Sequence, residues 1–397
     1  MRKKGAFFAL LLAFLLVAAA CGDTSSDTTA APSTDAPTTQ APGTTAPPAT
    51  AAPGTTAAPL PPPPPGRTVF ACEVTDTGGI DDRSFNQSAW DGVLRAQADF
   101  PDAITSDFLE STDAADYEPN VQALIDKGCD LIILTGFLFI DAAFAIAPEN
   151  PDQFFAIVDV GGLEVPNMRE LTFQTDEASF LAGYVAAGAS KTGVLGTYGG
   201  IAIPSVTIFM DGFVQGADYY NTIHGTSVEV KGWDVENQTG LFTEDFGAVD
   251  IGQQLSASLI DEGADIVMPV GGAIGLGLCA EITQRGGDLY HIGVDVDWNE
   301  SAATECGDFT FTNVLKGIDP AIYSTIVNVL SLDALGNPYL GTLANSGVDI
   351  TKTGAWSDVV SSELEAEVDA LKADIIAAGT DPGVSDLAEF LAGLADA

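Results

Sequence analysis

The chain beyond residue 67 alternates short apolar runs with longer segments whose apolar residues recur at helical spacing. The runs TVFACEVTD, DAITSDFLE, CDLIILTG and DQFFAIVD predict buried strands, and SFNQSAWDGVLRAQADF, YEPNVQALIDKG and IDAAFAIAPEN predict helices between them. After a further helical segment, EASFLAGYVAAGAS, a second series of strands is predicted at TGVLGTYGG, SVEVKGW, ADIVMPVGG and LYHIGVDVD. Such alternation is typical of parallel sheets with crossover helices. The pattern therefore predicts an α/β protein with two sheets.

Two late segments return to this pattern. FTFTNVLKGIDPAIYSTIVNVL predicts one more strand and helix, and GVDITKTGAWSDVV predicts a strand-like tail. A first lobe, a second lobe and two late returns form the chain path expected of a hinged two-lobe binding protein, and fit a single Rossmann enzyme less well. Within the domain at 67–397 we place lobe 1 at about 67–175 and 308–335, and lobe 2 at about 176–307 and 336–397.

The N-terminus predicts export. MRKK, the apolar run GAFFALLLAFLLVAAA and the small residues before Cys21 form a signal peptide over residues 1–20. The apolar run is shorter than the roughly 20 residues that a membrane span needs. The cysteine after small residues resembles the lipobox of bacterial lipoproteins, which implies lipidation of Cys21; an ordinary secretory signal is the alternative. Residues 21–66, rich in Thr, Ala and Pro, predict a disordered tether. We expect an extracytoplasmic protein anchored to the outer face of the membrane only by its lipid.

The net charge of −42 excludes nucleic acid and anionic membrane surfaces as partners because both would be repelled. Beyond Cys21 four cysteines remain, which allow three pairings. We favour a disulfide between Cys279 and Cys306, which flank one short segment, and expect Cys72 and Cys129 to be buried thiols. No CxxC spacing occurs and the two histidines are far apart, so no metal site is predicted.

Ligands bind at the carboxyl ends of the strands in open α/β sheets. The predicted strand ends bring together glycines, carboxylates and a few large apolar side chains: Asp76, Gly78, Gly79, Thr135, Gly136, Phe137, Asp159, Gly161, Gly162, Gly199, Gly200, Trp233, Met268, Gly271, Gly272, Asp295 and Asp297. Two such sheets that face each other would form a cleft with this lining.

Enzymatic motifs are missing from the chain. There is no GxSxG nucleophile motif and no GxxxxGK[ST] loop, and DTGGIDD lacks the spacing of a calcium-binding EF-hand loop. A nucleoside hydrolase is an alternative, but no acid that would protonate a leaving base can be named. We therefore predict neither catalytic residues nor a cofactor.

The segment VTDTGGIDDRSFNQSAWDG resembles the opening motif of the basic membrane protein family of bacterial lipoproteins, typified by purine nucleoside receptors. LIILTGFLFIDA, SFLAGYVAAGASKTGVLGTYGG, GADIVMPVGGAIGLG, IGVDVDW and FTNVLKGIDPAI follow that family in the same order. The resemblance implies a type I periplasmic-binding-protein fold, in which a hinge with three crossovers joins two Rossmann-like lobes. It also implies a purine nucleoside in the cleft and delivery to the permease of an ABC importer.

The same resemblance implies roles for individual residues. Asp76 and Asp159 would accept hydrogen bonds from the base, Phe85 would stack on it, and Asn86 would hold its edge or the loop. Asp295 and Lys316 would bind ribose hydroxyls. The remaining expectations are that Asp81 and Asp82 cap the helix near Ser84, that Met268 stands where relatives often have an aromatic residue, that Gly271 and Gly272 line the cleft, and that Phe242 or Phe246 enters it from the inserted segment DVENQTGLFTEDFGAVD.

Two other functions remain open at this stage. The cleft would also suit another small ligand, such as a sugar or a signalling molecule. A surface sensor that reports to a partner protein would use the same cleft.

Overall fold

Two six-stranded sheets form the framework of the chain, whose computed structural model describes residues 62–379 and 385–395. The strands are β1 Val69–Val74, β2 Ile104–Leu109, β3 Leu131–Leu134, β4 Phe154–Val158, β5 Met168–Phe173, β6 Val194–Gly199, β7 Glu229–Lys231, β8 Trp233–Asp234, β9 Thr239–Gly240, β10 Ile266–Val270, β11 Tyr290–Asp295, β12 Thr310–Lys316, β13 Tyr339–Gly341 and β14 Val348–Ile350. The α-helices are α1 Phe85–Asp99, α2 Tyr117–Lys127, α3 Ile140–Ile146, α4 Thr175–Ala189, α5 Pro204–His224, α6 Val249–Asp261, α7 Gly275–Arg285, α8 Trp298–Ser301, α9 Ile318–Leu332, α10 Trp356–Val359, α11 Ser362–Ala378 and α12 Asp386–Ala395.

The two sheets define two lobes. The sheet of lobe 1 has the order β13-β5-β4-β3-β1-β2 and is parallel throughout. The sheet of lobe 2 has the order β14-β12-β11-β10-β6-β7, in which β14 alone is antiparallel. The chain passes between the sheets after β5, after β12 and after β13. The predicted type I periplasmic-binding-protein fold is confirmed.

The predicted lobe boundaries need one correction. The interval 308–335 was expected in lobe 1, but β12 pairs with β11 in the sheet of lobe 2. Conversely, β13 was expected in lobe 2 and pairs with β5 in lobe 1. The chain therefore crosses once between β12 and α9, which packs on α1 of lobe 1. Strand sequences do not encode which sheet they join, because either sheet offers the same unpaired edge.

The sequence pattern did not predict β5. Its residues MRELTF place Arg169 and Glu170 inside a strand. Both side chains have partners: Arg169 donates to Asn337 O and to the hydroxyls of Ser324 and Thr325, and Glu170 accepts the backbone N–H groups of residues 162–164. Hydrogen bonds to distant segments therefore stabilise a strand whose composition is not apolar.

Two disulfides connect elements around the sheets. Cys279 and Cys306 are bonded, with an S–S distance of 2.00 Å. Cys72 and Cys129 also form a disulfide, so the expectation of separate thiols was wrong. Cys72 lies in β1 and Cys129 lies just before the neighbouring strand β3, with Cα atoms 6.0 Å apart, within the range that a disulfide spans.

The predicted N-terminal features lie mostly outside the described residues. These are the signal peptide at 1–20, the lipidated Cys21 and the tether as far as residue 61. Among the helices that the structure describes, none has the length and apolar character needed to cross a membrane.

Glycines let α4 and α5 approach closely in lobe 2. A Cβ added to Gly183 would lie 2.0 Å from the carbonyl oxygen of Phe213, and one added to Gly216 would lie 2.0 Å from that of Phe180. The contact is between backbone atoms, so a side chain cannot rotate out of the way. The hydrophobic residues of α4 are buried almost all round, which makes this contact part of the core.

We expect Gly183→Ala to lower the midpoint of thermal unfolding, because overpacking of this kind costs about 1–3 kcal/mol. Gly393→Ala in α12 is the matched control, since no atom lies within 4 Å of the added Cβ. Alanine there should leave the midpoint unchanged or raise it. Circular dichroism on both variants measures the difference, and equal midpoints would show that the helices separate without cost.

Candidate ligand-binding cleft

A cleft between the lobes opens at the carboxyl ends of both sheets and has a volume of about 460 Å³, counted to its open mouth. Its lining comprises Asp76, Asp82, Phe85, Asn86, Gly136, Phe137 and Asp159 of lobe 1, and Ile203, Ser205, Val206, Phe209, Phe246, Val270, Gly271, Gly272, Asp295 and Lys316 from the second series of elements. Eight of the nine predicted ligand-binding residues are thus brought together; Met268 is the exception. Apolar walls with a few convergent polar groups are typical of small-molecule sites.

A buried ion pair joins the two lobes inside the cleft. Lys316 Nζ, at the end of β12, donates to Asp159 Oδ2 at 2.6 Å, and the two side chains are only 2% and 7% exposed. Asp295 lies on the neighbouring strand β11, where the charge of Lys316 acts to lower the pKa of its carboxyl group. One ammonium therefore serves two carboxylates, which leaves this end of the cleft with more hydrogen-bond acceptors than donors.

Asp159 and Asp295 occupy corresponding positions in the two lobes. Asp159 directly follows β4, the third strand from the β13 edge of its sheet, and Asp295 ends β11, the third strand from the β14 edge of the other sheet. Each has φ of 68°, in the left-handed region that residues other than glycine seldom adopt. Strain of this kind, held by the surrounding structure, is concentrated at functional sites. From these positions Asp159 accepts a hydrogen bond from Lys316, and Asp295 accepts one from Ser84.

Aromatic rings surround the lysine. Nζ of Lys316 lies 4.7 Å from the ring centroid of Phe85, 5.4 Å from that of Phe173 and 5.7 Å from that of Phe209. Contacts of this length attract a cation to the face of a ring. The rings also remove water from around the ion pair, so the charges there interact more strongly than in solvent.

A hydrogen-bonded network fixes the loop that carries Asp76. The side-chain amide of Asn86 donates to Asp76 Oδ1 at 2.8 Å and to Asp82 Oδ2 at 3.1 Å, and its oxygen accepts the N–H of Asp76. Asp76 Oδ1 also accepts the N–H of Gly78. Both N–H groups of the amide are used, so Asn86 holds the loop. Among the described residues, none donates to Asp76 Oδ2, which remains available to a ligand.

Asp82 stabilises the start of α1. Its Oδ1 accepts the N–H groups of Ser84 and Gln87, and its Oδ2 accepts the N–H of Asn86. These are backbone groups that a helix leaves unsatisfied at its first turn. The predicted capping role of Asp82 matches these contacts, although its carboxylate also lines the cleft. Asp81 is exposed.

Burial raises the pKa of the carboxyl groups in the cleft. Desolvation raises the pKa of Asp76 to about 7, against the hydrogen bonds from Asn86 and Gly78 that favour its ionised form. Desolvation also raises the pKa of Asp295 to about 6, although Lys316 lowers it, and it raises the pKa of Asp159. These groups ionise fully only when an opposite charge or hydrogen-bond donors replace the lost water.

Met268 does not contact the cleft. Its side chain is completely buried in the core, two residues before Val270 on the same face of β10. Two residues along a strand correspond to roughly 6.6 Å, which places Met268 below the carboxyl edge. The prediction failed because it assigned the residue to the strand end.

Phe246, from the inserted segment after Trp233, supplies a ring to the cleft instead. A Cβ added to Gly200 or Gly271 would lie 2.3 Å or 2.9 Å from the ring atom Cδ1 of Phe246, so both glycines make room for this ring. Phe242 packs on Gly199 and lies edge-on to Trp233, outside the lining. The sequence offered both phenylalanines and could not choose between them.

The sequence missed one group of lining residues, at the start of α5. Ile203, Ser205, Val206 and Phe209 all contribute to the cleft. The motif GGIAIPS contains the signal, because proline after a predicted strand end is favoured at the first position of a helix.

Cys279, His291 and Cys306 also come together. The two sulfurs and a ring nitrogen of His291 lie within 4.8 Å of one another, and all three residues are buried. The sulfurs are bonded to each other, and zinc requires them as free thiolates. The group therefore stabilises the packing of α7 against the segment after β11.

The pKa of Asp76 predicts a pH dependence of stability. The native state holds a proton up to about pH 7, whereas the unfolded state releases it near the ordinary value of 3.8. The stability that Asp76 contributes is fully present below the unfolded pKa and is lost as pH rises through 7. We expect the thermal midpoint to fall between pH 5 and pH 8, and to fall less in Asp76→Asn, which mimics the protonated acid. Asp81→Asn, an exposed neighbour, is the control; an equal fall in Asp76→Asn and the wild type would refute the assignment.

Comparison with known proteins agrees with this fold. Residues 71–379 match the family described as ABC transporter substrate-binding protein PnrA-like. The CD4+ T-cell-stimulating antigen of Listeria monocytogenes is 30% identical over 318 residues, which cover 76% of this chain and 85% of that protein. Basic membrane protein A of Borreliella burgdorferi is 31% identical over 304 residues, or 75% of this chain and 83% of that protein.

Solved structures show the same architecture. An ABC transporter system solute-binding protein from Aeropyrum pernix superposes with a TM-score of 0.69 at 24% identity, over 82% of this chain and 98% of that one. A solute-binding protein of the same description from Conexibacter woesei gives a TM-score of 0.60 at 22% identity, over 80% of this chain and 99% of that one. These likenesses establish the fold, and the match over residues 71–379 establishes the family: the chain belongs to the PnrA-like substrate-binding proteins of ABC transporters.

Proposed function

We propose that this protein captures a purine nucleoside in the cleft between its lobes and delivers it to an ABC importer. The observation that carries the proposal is the buried Lys316, which bonds to Asp159 across the lobes and lies within 4.7 Å of the ring centroid of Phe85. This part of the cleft combines an aromatic surface with a cation and carboxylates. A nucleoside needs both kinds of surface, because it joins a flat base to a ribose rich in hydroxyls.

The base fits the part of the cleft nearest Asp76. Phe85 and Phe246 offer ring faces from the two lobes, and aromatic rings stack favourably on flat heterocycles. Asp76 Oδ2 has no donor among the described residues and would accept an N–H of the base. A buried acceptor of this kind rejects a ligand that lacks the donor, since the carboxylate would be left without a partner.

The ribose fits the end that holds Lys316. Two N–H groups of the ammonium remain beyond its bond to Asp159, and the described residues offer them no further acceptor at hydrogen-bond distance. They would donate to ribose oxygens while Asp295 accepts from a hydroxyl. The bond between Lys316 and Asp159 leads us to reassign Asp159 from the base to this end, where it orients the ammonium.

Capture would require closure of the two lobes. Lys316 and Asp159 reach across the cleft, and Gly272 of lobe 2 approaches the Asp82 carboxylate so closely that an added Cβ would lie 3.2 Å from Oδ2. Binding energy would offset the cost of bringing these surfaces together and would shift the population from open to closed. The family supports a role in transport rather than catalysis, as its members are substrate-binding proteins.

The proposed setting is the outer face of the cell membrane, with the domain tethered through a lipid on Cys21. The signal-like N-terminus and the two disulfides support export, because disulfides persist in oxidising compartments.

Calorimetric titration of the full chain tests the ligand, after bound material has been removed by unfolding and refolding. Guanosine, inosine and adenosine should bind, while cytidine, ribose and glucose should bind more weakly or not at all. Binding of a sugar alone would replace the nucleoside with a sugar ligand. Release of free base during the titration would indicate a hydrolase.

A pair of variants tests the site. Lys316→Met should weaken the binding of every active nucleoside by at least about tenfold, since a charge-assisted hydrogen bond is lost and Asp159 stays buried without its partner. Met268→Leu is the control, because the structure places this residue in the core. Equal affinities of Lys316→Met and the wild type would contradict the assigned ribose site.

A further inference from the structure

Ser84 is a buried residue of lobe 1 whose side chain bonds to lobe 2. Its hydroxyl lies 3.0 Å from Asp295 Oδ2 and 3.0 Å from the carbonyl oxygen of Val294. The residue has no exposed surface. A serine has one hydroxyl proton, so it makes one full hydrogen bond as donor, and the two acceptors compete for it.

The competing carbonyl already has two donors. Val294 O accepts the N–H of Val296 at 2.9 Å and the indole N–H of Trp298 at 3.0 Å. A carbonyl oxygen has two lone pairs, and both are thus occupied. The carboxylate of Asp295 is the stronger acceptor as well, because a bond to an ionised group is charge-assisted. The proton of Ser84 therefore points to Asp295.

Asp295 has no other hydrogen-bond donor among the described residues. Its Oδ2 accepts from Ser84, whereas Oδ1 accepts no bond there. Its backbone is strained, with φ of 68°. Without Ser84, the side chain would be free to rotate about its own bonds or to turn its charge toward Lys316 alone. Ser84 is held in turn by the first turn of α1, where its N–H donates to Asp82.

We propose that Ser84 is a positioning residue for Asp295, which fixes one carboxylate oxygen across the closed cleft and leaves the other to accept a ribose hydroxyl. This inference rests on the proposed nucleoside function and adds a condition to it. Because the two residues belong to different lobes, the acceptor is fully oriented only when the lobes have closed. Discrimination between a nucleoside and its free base would then be made in the closed state, as in other induced-fit sites.

A neighbouring contact supports the same docking of the two lobes. Arg83, which precedes Ser84, donates from Nη1 to the backbone oxygen of Ser301 at 3.1 Å. Arg83 has φ of 64°, so the backbone turns sharply just before α1, and the side chains of Arg83 and Ser84 contact α8 and the end of β11 respectively. The contacts of Arg83 and Ser84 thus join one short stretch of each lobe.

The test compares guanosine with guanine on the full chain by calorimetry. Ser84→Ala should weaken guanosine binding about tenfold, the loss expected for one hydrogen bond to a charged group, and should leave guanine binding within about twofold. Ser84→Thr keeps the hydroxyl and should restore guanosine binding. Ser88→Ala, one helical turn further along α1 and also buried, should behave as the wild type. Equal weakening of guanosine and guanine, or no weakening at all, would overturn the proposal.

The pH profile separates positioning from a general loss of structure. The groups that face Asp295 are Lys316, Asp159 and Asp82, with Ser84 as hydrogen-bond donor. Guanosine affinity should rise with pH as Asp295 ionises and becomes able to accept the ribose hydroxyl. Because the Ser84 hydroxyl stabilises the ionised carboxylate, Ser84→Ala should move this rise to higher pH, while Lys316 and Asp159 stay in place. An unshifted profile would count against a role through Asp295.

A double-mutant cycle on the ligand-free chain distinguishes failure of the proposed nucleoside function from failure of the positioning role of Ser84. If the wild type binds no nucleoside, the proposed function fails, and the contact between Ser84 and Asp295 is still tested by thermal unfolding of Ser84→Ala, Asp295→Ala and the double variant. Non-additive shifts of the midpoint would support the contact, and additive shifts would overturn it. If the wild type binds guanosine and Ser84→Ala binds it equally, only the positioning role fails.

Discussion

The ion pair between Lys316 and Asp159 is the contact on which the rest of the cleft depends. It joins the two lobes at 2.6 Å where both side chains are almost without solvent. A buried pair of this kind contributes little net stability, because desolvation of two charges offsets most of their attraction, but the loss of either partner is strongly unfavourable. Its value lies in geometry: it fixes one ammonium beside two carboxylates and three rings.

The acidity of the protein explains why this lysine stands out. Acidic residues outnumber basic residues by 56 to 14, which gives the chain a net charge of −42. Inside the cleft the same residue type behaves differently, because burial favours the protonated acid and a hydrogen-bond donor is needed to hold the ionised form. Among the described residues, the side chains of Asn86, Ser84 and Lys316 donate to Asp76, Asp295 and Asp159 respectively. A ligand with its own donors would satisfy the acceptors that the protein leaves without one, which connects the electrostatics of the cleft to the chemistry of its ligand.

Much of the fold was predictable from local pattern, and the limits have physical causes. Continuous apolar runs such as LIIL in β3 are buried on both faces, so they can be recognised as strands from the sequence alone. Strand ends then placed Asp76, Asp159 and Asp295 together, because parallel strands deliver their carboxyl ends to one edge. The sequence could not predict β5, whose Arg169 is held by partners some 155 residues away or more. Nor could it place Met268 below the carboxyl edge of the sheet, because that depends on how far β10 extends. It could not select Phe246 over Phe242 as the lining residue, because that depends on the path of the inserted segment.

We propose that the cleft holds a purine nucleoside with its ribose at Lys316 and its base between Phe85 and Phe246. The most direct measurement is a crystal structure of the protein grown with guanosine. We expect ribose oxygens within hydrogen-bond distance of Lys316 Nζ and Asp295 Oδ1, the base against Phe85 and Phe246, and Ser84 still bonded to Asp295. A guanosine bound outside the cleft, or with its base beside Lys316 and its ribose beside Asp76, would contradict it.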